Sequence, residues 1–175
     1  ELGGKFPRNP GITYFLLEKF NLKMPGGWYG SFLKERSLEE EWSAMQDHIS
    51  LLKYVNSNVF VFADISESIQ GNANMPLSLR PKLEDDEWKI YGKKISEISN
   101  RLDDVGLPMS YHEHMGTIIQ TEKDVDRFLN ETNDKTFLLY DTGHLFFSEA
   151  DYLQVLKKYI TRINHIHCKD IRKNI

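Results

Sequence analysis

Cysteine is nearly absent from this sequence, since Cys168 is the only one among 175 residues. A single thiol cannot build a disulfide framework, so a disulfide-rich secreted scaffold is excluded and the reducing cytoplasm is the expected location. The chain also lacks an apolar run of about 18 residues and a charged-then-apolar opening, which argues against a membrane span or a signal peptide. Basic residues are not in excess, because 22 Lys and Arg stand beside 26 Asp and Glu. We therefore expect neither a membrane nor a nucleic acid as partner.

What is present is the composition of an ordinary globular domain, with 40% hydrophobic and 27% charged residues. A chain of this length suffices for one domain with a substantial core, which we place over residues 1–175. The chain opens at Glu1 in what reads as the end of a strand and stops at Ile175 just beyond another. We therefore expect a piece of a longer chain.

Helical and strand-like apolar periods alternate along the sequence. The predicted strands lie near residues 1–3, 24–29, 59–63, 109–114, 137–141 and 163–168. Short strands separated by helices predict βαβ units and a parallel sheet, either an open doubly wound sheet or a (β/α)8 barrel. No GxGxxG or phosphate-loop pattern supports a nucleotide-binding open sheet.

Helix boundaries are marked by polar side chains. Ser37 and Glu40 form a capping box before an amphipathic stripe, and Thr121 and Ser148 each precede an aspartate by three residues. We expect Thr121 and Ser148 to begin two further helices.

Polar residues collect at the carboxyl ends of the predicted strands. They are Asp64, His112, His114, Asp141, His144, His165 and His167. Parallel α/β folds build their sites at this edge because the loops converge there, which favours the barrel. His48 is the one histidine on a predicted helix, and we expect it to be structural.

Strand alternation places His112 with His114 on one face, and His165 with His167 on one face. Glu113 would then point outward. Two or three imidazoles with a carboxylate suit Mn, Co, Zn or Fe(II). The alternative is that these histidines satisfy backbone or carboxylate partners without a metal.

Two further side chains carry weaker signals. Trp28 lies among glycines at a strand end, where it would either wall a sugar pocket or pack in the core. No base is specified for Cys168, so we expect it to pack in the barrel wall.

Six segments become characteristic when they are taken together and in order. They are ELGGKFPR (1–8), SIQG (68–71), MPLSLRP (75–81), YHEHMGT (111–117), YDTGH (140–144) and NHIHCKDIR (164–172). With them the chain resembles the xylose-isomerase-like superfamily of sugar phosphate isomerases and epimerases, and within it the inosose dehydratases of myo-inositol catabolism. The resemblance implies a (β/α)8 TIM barrel, here a piece without the first strand and without everything after the seventh.

The resemblance also implies a divalent metal, Mn or Co first and Zn or Fe next. His112 stands where the superfamily usually has glutamate, while Asp141 and His167 match its aspartate and histidine ligands. The implied catalytic residues are His144 and Lys169. The residues expected to bind substrate are His114, Arg80 and Gln70, together with Trp28 on the strength of its flanking glycines. The loop at 64–68, DISES, departs from the family, which leaves the substrate open.

The implied reaction is dehydration of a cyclic keto-polyol, 2-keto-myo-inositol (inosose), by a metal-dependent lyase through an enolate. A ketose epimerase or aldose–ketose isomerase would use the same metal and enolate, so the metal residues do not separate these activities. An inactive polyol-binding barrel fragment is the third interpretation. All three expect a small polyol or keto-sugar as partner, and a homo-oligomer is left open.

Overall fold

Five parallel strands form one sheet in the computed structural model, which describes residues 1–172. They are β1 (Gly26–Ser31), β2 (Val59–Asp64), β3 (Met109–His112), β4 (Phe137–Asp141) and β5 (Ile163–His167). Each strand pairs with the next one along the chain, as in the wall of a barrel. The predicted parallel α/β sheet is thus confirmed. The strand predicted near residues 1–3 is reduced to one bridge, between Leu2 and Gly27.

One helix precedes β1, and helices connect each pair of consecutive strands. They are α1 (Pro10–Lys19), α2 (Leu38–Tyr54), α3 (Glu87–Asp104), α4 (Glu122–Glu131), α5 (Thr142–Phe147) and α6 (Tyr152–Tyr159). Single 3-10 turns lie at Leu77–Leu79 and Ile160–Arg162. Among residues 1–172 no helix combines the length and the apolar character that a bilayer crossing requires.

Two of the predicted caps are present. The hydroxyl of Ser37 accepts the backbone N–H of Glu40, whose carboxylate accepts the N–H of Ser37 in return. Thr121 and Asp124 form the same reciprocal pair at the start of α4. Each box satisfies backbone donors that the first helical turn leaves without a partner.

The prediction for Ser148 is wrong because it overlooked α5. Asp141 ends β4 and caps α5 at once, since its Oδ1 accepts the N–H groups of Gly143 and His144, each at 3.0 Å. Helix α5 fills the residues before Ser148, which therefore ends a helix. Asp151 caps α6 instead.

The two faces of the sheet bury different side chains. The face toward the helices carries Phe60, Phe62, Tyr111, Leu138 and Tyr140 within the main core. The opposite, inner face carries a small cluster of Val59, Val61 and Leu139, with Trp28 packed against it. Since side chains alternate along a strand, Asp141 follows Leu139 onto the inner face, and His167 is its register partner on β5.

Candidate metal centre

Three side chains from three neighbouring strands converge on the inner face. Nε2 of His112 lies 3.5 Å from Oδ2 of Asp141, and Nδ1 of His167 lies 3.3 Å from the same oxygen. One ligand atom from each of the three lies within 4.8 Å of the others. The structure therefore brings together the three side chains that the sequence analysis named as ligands.

A backbone carbonyl determines which ring nitrogen of His112 carries the hydrogen. The backbone carbonyl of Glu113 lies 2.6 Å from Nδ1 of His112 and 3.1 Å from Nδ1 of His144. A carbonyl only accepts, so both Nδ1 atoms donate and both Nε2 atoms keep a lone pair when the rings are neutral. Burial, with the nearby imidazoles of His144 and His114, lowers the pKa of His112 to about 2, so its ring is neutral near pH 7.

The donor set fits a divalent cation. The Nε2 lone pair of His112 faces the Asp141 carboxylate, and two facing acceptors are stable only with positive charge between or beside them. Burial alone would raise the pKa of Asp141, but hydrogen bonds from His167 and Lys169 outweigh it and hold that pKa well below its usual range. Two imidazoles and one carboxylate are a common set for Zn and for octahedral first-row metals.

Lys169 and His144 lie side by side at this centre. Nζ of Lys169 donates to Oδ2 of Asp141 at 2.5 Å and lies 3.0 Å from Nε2 of His144. Burial lowers the pKa of His144 to about 4, so its Nε2 accepts from the ammonium group. A Cβ at Gly143 would come within 2.6 Å of the Lys169 Cβ, so this glycine lets the lysine cross the end of β4.

An aromatic wall borders the imidazoles. The Trp28 ring lies edge-to-face with His112 and His114, at centroid distances of 5.5 and 5.4 Å. Nδ1 of His114 donates to the Met115 carbonyl at 3.0 Å, which leaves its Nε2 as an acceptor. We call His112, His114, His144 and His167 the histidine cluster.

Two side chains that the sequence analysis assigned to substrate lie outside the histidine cluster. The buried guanidinium of Arg80 donates to the carbonyls of Thr117 and Ile118 at 3.1 and 2.7 Å and pairs with Asp124 at 2.6 Å. Through these contacts both terminal nitrogens of Arg80 hold the turn after His114. Gln70 is exposed on the same long loop.

Glu113 does not point outward as the alternation predicted. It is fully buried, and its Oε2 lies 3.1 Å from Nδ1 of His112. Strand β3 ends at His112, so the two-residue period no longer applies at the next position. Burial, with the charge of Asp141, raises the pKa of Glu113 well above its usual value. His112, Glu113 and His144 form a second group of described residues that could hold a metal.

Cys168 is exposed, which corrects the expectation that it packs in the wall. Strand β5 ends at His167, so Cys168 already lies in the following loop.

Glu1 is a site residue that sequence reasoning missed. Its Oε1 lies 2.5 Å from Nε2 of His165 and 2.6 Å from Nε2 of His167. These three residues are a further group with metal-ligand spacing. Glu1 lies more than 160 positions from His165 and His167 in the chain. The only sequence signal for it was its place at the start of the segment at 1–8.

Comparison with known proteins identifies the barrel family of the chain. Residues 15–175 match the family described as xylose isomerase-like TIM barrel. The chain is 35% identical over 175 residues to the rhizopine catabolism protein MocC of Rhizobium meliloti and covers 54% of it. It is 37% identical over 174 residues to an inosose dehydratase of Geobacillus thermodenitrificans, covering 98% of this chain and 58% of that one. The chain thus spans little more than half the length of these relatives.

Solved structures share the fold at low sequence identity. The probable 3-DHS dehydratase AsbF of Bacillus anthracis matches with a TM-score of 0.71 and 15% identity, covering 91% of this chain and 55% of that one. An L-ribulose 3-epimerase matches with a TM-score of 0.71 and 13% identity, covering 97% and 58%. The sequence match over residues 15–175 and the parallel sheet agree with one another. The chain therefore belongs to the xylose isomerase-like TIM barrel family.

Proposed function

We propose that this chain carries the metal centre of a hydro-lyase that dehydrates a cyclic keto-polyol of the inosose type. One observation carries the proposal: ligand atoms of His112, Asp141 and His167 converge at the strand ends of a chain that is 34–37% identical to inosose dehydratases. The convergence supports metal chemistry, and the relatives support dehydration as the reaction.

His112, Asp141 and His167 would hold the divalent ion, with Mn or Co as the first candidates. When bound, such an ion supplies Lewis-acid stabilisation of the negative charge that develops on a ketone oxygen during proton loss at the adjacent carbon. The carbonyl of Glu113 keeps Nε2 of His112 free for this task by accepting the Nδ1 hydrogen.

In this proposal the neighbouring side chains bind the polyol and donate the proton that the reaction needs. Nε2 of His114 accepts a substrate hydroxyl, and the ring of Trp28 excludes water on that side of the cluster. A general base takes the proton from the carbon next to the ketone, and the Lys169 ammonium gives a proton to the β-hydroxyl, which departs as water. Lys169 is the acid in this proposal, and the base is assigned to none of the described residues. His144, which accepts from Lys169, keeps the ammonium aimed at the site.

Metal content and product mass test the proposal. We expect the parent protein to retain a stoichiometric divalent metal by elemental analysis, and His112→Ala and Asp141→Asn to lose it. Asparagine is chosen at Asp141 because its amide oxygen still caps α5, whereas alanine would cost about 1 kcal/mol of helix stability as well. Asp47→Asn, an exposed carboxylate on α2, is the matched control and should retain the metal.

Mass spectrometry of the inosose product separates the reactions. Dehydration lowers the mass by one water, whereas an epimerase or isomerase leaves the mass unchanged. Lys169→Met should retain the metal and lower kcat by about 10²–10⁴-fold, as expected for loss of a general acid. A metal-loaded parent that binds the polyol but returns it unchanged would overturn the proposal.

A further inference from the structure

Glu1 lies beside β1, at one edge of the sheet, and its carboxylate contacts two histidines of β5, at the other edge. Oε1 of Glu1 lies 2.6 Å from Nε2 of His167 and 2.5 Å from Nε2 of His165. A carboxylate accepts, so each Nε2 donates its hydrogen to this oxygen. The contact occurs on the ring atom of His167 that points away from Asp141.

The position of Glu1 is fixed by its neighbour. The N–H of Leu2 donates to the carbonyl of Gly26 at 2.9 Å, and the Leu2 side chain is almost fully buried. A Cβ on Gly27 would approach the Leu2 Cβ to 2.8 Å, so the glycine provides the space that Leu2 occupies. Glu1 is thereby held at the inner face by the backbone that follows it.

The two nitrogens of His167 face two carboxylates. Nε2 faces Glu1, and Nδ1 faces Oδ2 of Asp141 at 3.3 Å. Without an ion, both nitrogens can donate to these carboxylates. If an ion took the Nδ1 lone pair, the single hydrogen of the neutral ring would stay on Nε2, against Glu1. Metal-ligating histidines commonly donate their second ring N–H to a carboxylate, which fixes both the tautomer and the ring orientation.

We propose that Glu1 is a positioning residue for the metal centre: it takes the Nε2 hydrogen of His167 and aims the Nδ1 lone pair at the site formed with His112 and Asp141. The inference rests on the proposed function. His165 shares the same oxygen but has no contact with Asp141, so it accompanies Glu1 without being needed at the metal. The distances fit hydrogen bonds, because two ligands of one metal ion with bonds of about 2.1 Å lie farther apart than 2.6 Å.

Cobalt titration of the metal-free protein tests the role of Glu1. Calorimetry gives the Kd and the stoichiometry, and the visible absorption of bound Co²⁺ reports the ligand geometry. We expect Glu1→Ala to bind one equivalent about 10- to 100-fold more weakly, with an altered spectrum. Glu1→Gln should recover part of the loss, because its amide oxygen still accepts an N–H. His165→Ala and Glu18→Gln, an exposed carboxylate on α1, should bind as the parent does.

The outcomes separate this inference from the proposed function. Parental affinity in Glu1→Ala, with binding lost in Asp141→Asn, would overturn the positioning role alone. Two equivalents in the parent, with one lost in His165→Ala, would instead make Glu1 a direct ligand of a second ion. Parental binding in both His112→Ala and Asp141→Asn would overturn the proposed function itself. Circular dichroism of each variant confirms that it is folded before its affinity is compared.

Discussion

His48 differs from the histidine cluster in its surroundings. Its Nε2 donates to the Gly27 carbonyl at 3.1 Å, and its ring packs edge-on against Phe60 with centroids 5.1 Å apart. Burial lowers its pKa below the ordinary value of 6.5. These contacts agree with the structural role that its place on a helix predicted.

The pH dependence of stability tests that role. Because the folded protein disfavours the charged ring, the unfolded chain binds more protons between the folded pKa of His48 and 6.5. The free energy of unfolding therefore rises with pH in this window, and the contribution of His48 is lost as the pH falls through it. We expect His48→Gln, which can still donate to Gly27, to reduce the slope by at most about 1.4 kcal/mol per pH unit.

Urea unfolding at several pH values between 5 and 8 measures that slope. Lys53→Gln, an exposed cation on the same helix, is the control and should leave the slope as in the parent. An unchanged slope in His48→Gln would contradict the assignment of a neutral, partly buried ring.

Residues on regular strands were predicted well, and residues beyond strand ends were not. The period of two placed His112, Asp141 and His167 on one face. It holds because His112 pairs in register at the end of β3, and because Leu139–Asp141 pair in register with His165–His167 beyond the register shift at Leu138/Leu139. The same rule failed one residue later at Glu113. The period of two could not predict the contact between Glu1 and His167, because that contact depends on how the whole sheet curves.

At the scale of elements, the long loop after β2 supports the turn that carries His114. The N–H of Ile69 and the hydroxyl of Ser68 both donate to the carbonyl of Gly116, at 3.0 and 3.1 Å. Gly116 itself has a φ of +77°, a conformation that disfavours residues with a Cβ. The segment between β2 and α3 therefore holds this turn, although the sequence analysis expected two of its residues, Gln70 and Arg80, to contact substrate.

Gly116→Ala should be destabilising for two separate reasons. Its Cβ would approach the backbone nitrogen of Gln70 to 2.8 Å, and the left-handed backbone alone costs about 1–2 kcal/mol. We expect the free energy of unfolding to fall by at least that amount in a denaturant titration. Gly71→Ala, in the same loop with open space around it, is the matched control. Equal stability of the two variants would argue against this packing.

At the scale of the whole molecule, the proposed metal centre can form only when the sheet is assembled. Its donors come from β3, β4 and β5, and the unfolded chain holds them far apart. An ion that binds the folded state alone shifts the folding equilibrium by mass action. Metal binding and global stability are therefore linked.

Adding Co²⁺ at 100 times its Kd should raise the free energy of unfolding by about 2.7 kcal/mol, and a chelator should reverse the gain. Thermal or urea unfolding with and without the ion measures the difference. Asp141→Asn should show no gain, since it keeps the cap of α5 but loses the ligand charge. A gain of equal size in that variant would place the ion elsewhere on the protein.

The oxygen that fixes the hydrogens of His112 and His144 belongs to the main chain of Glu113. Any amino acid at this position would present the same carbonyl, provided that the backbone keeps its course. A substitution at position 113 would therefore remove the buried carboxyl group beside His112 but leave in place the carbonyl that sets the tautomer of both rings. This part of the site depends on the backbone conformation, so the amino-acid sequence does not reveal it directly.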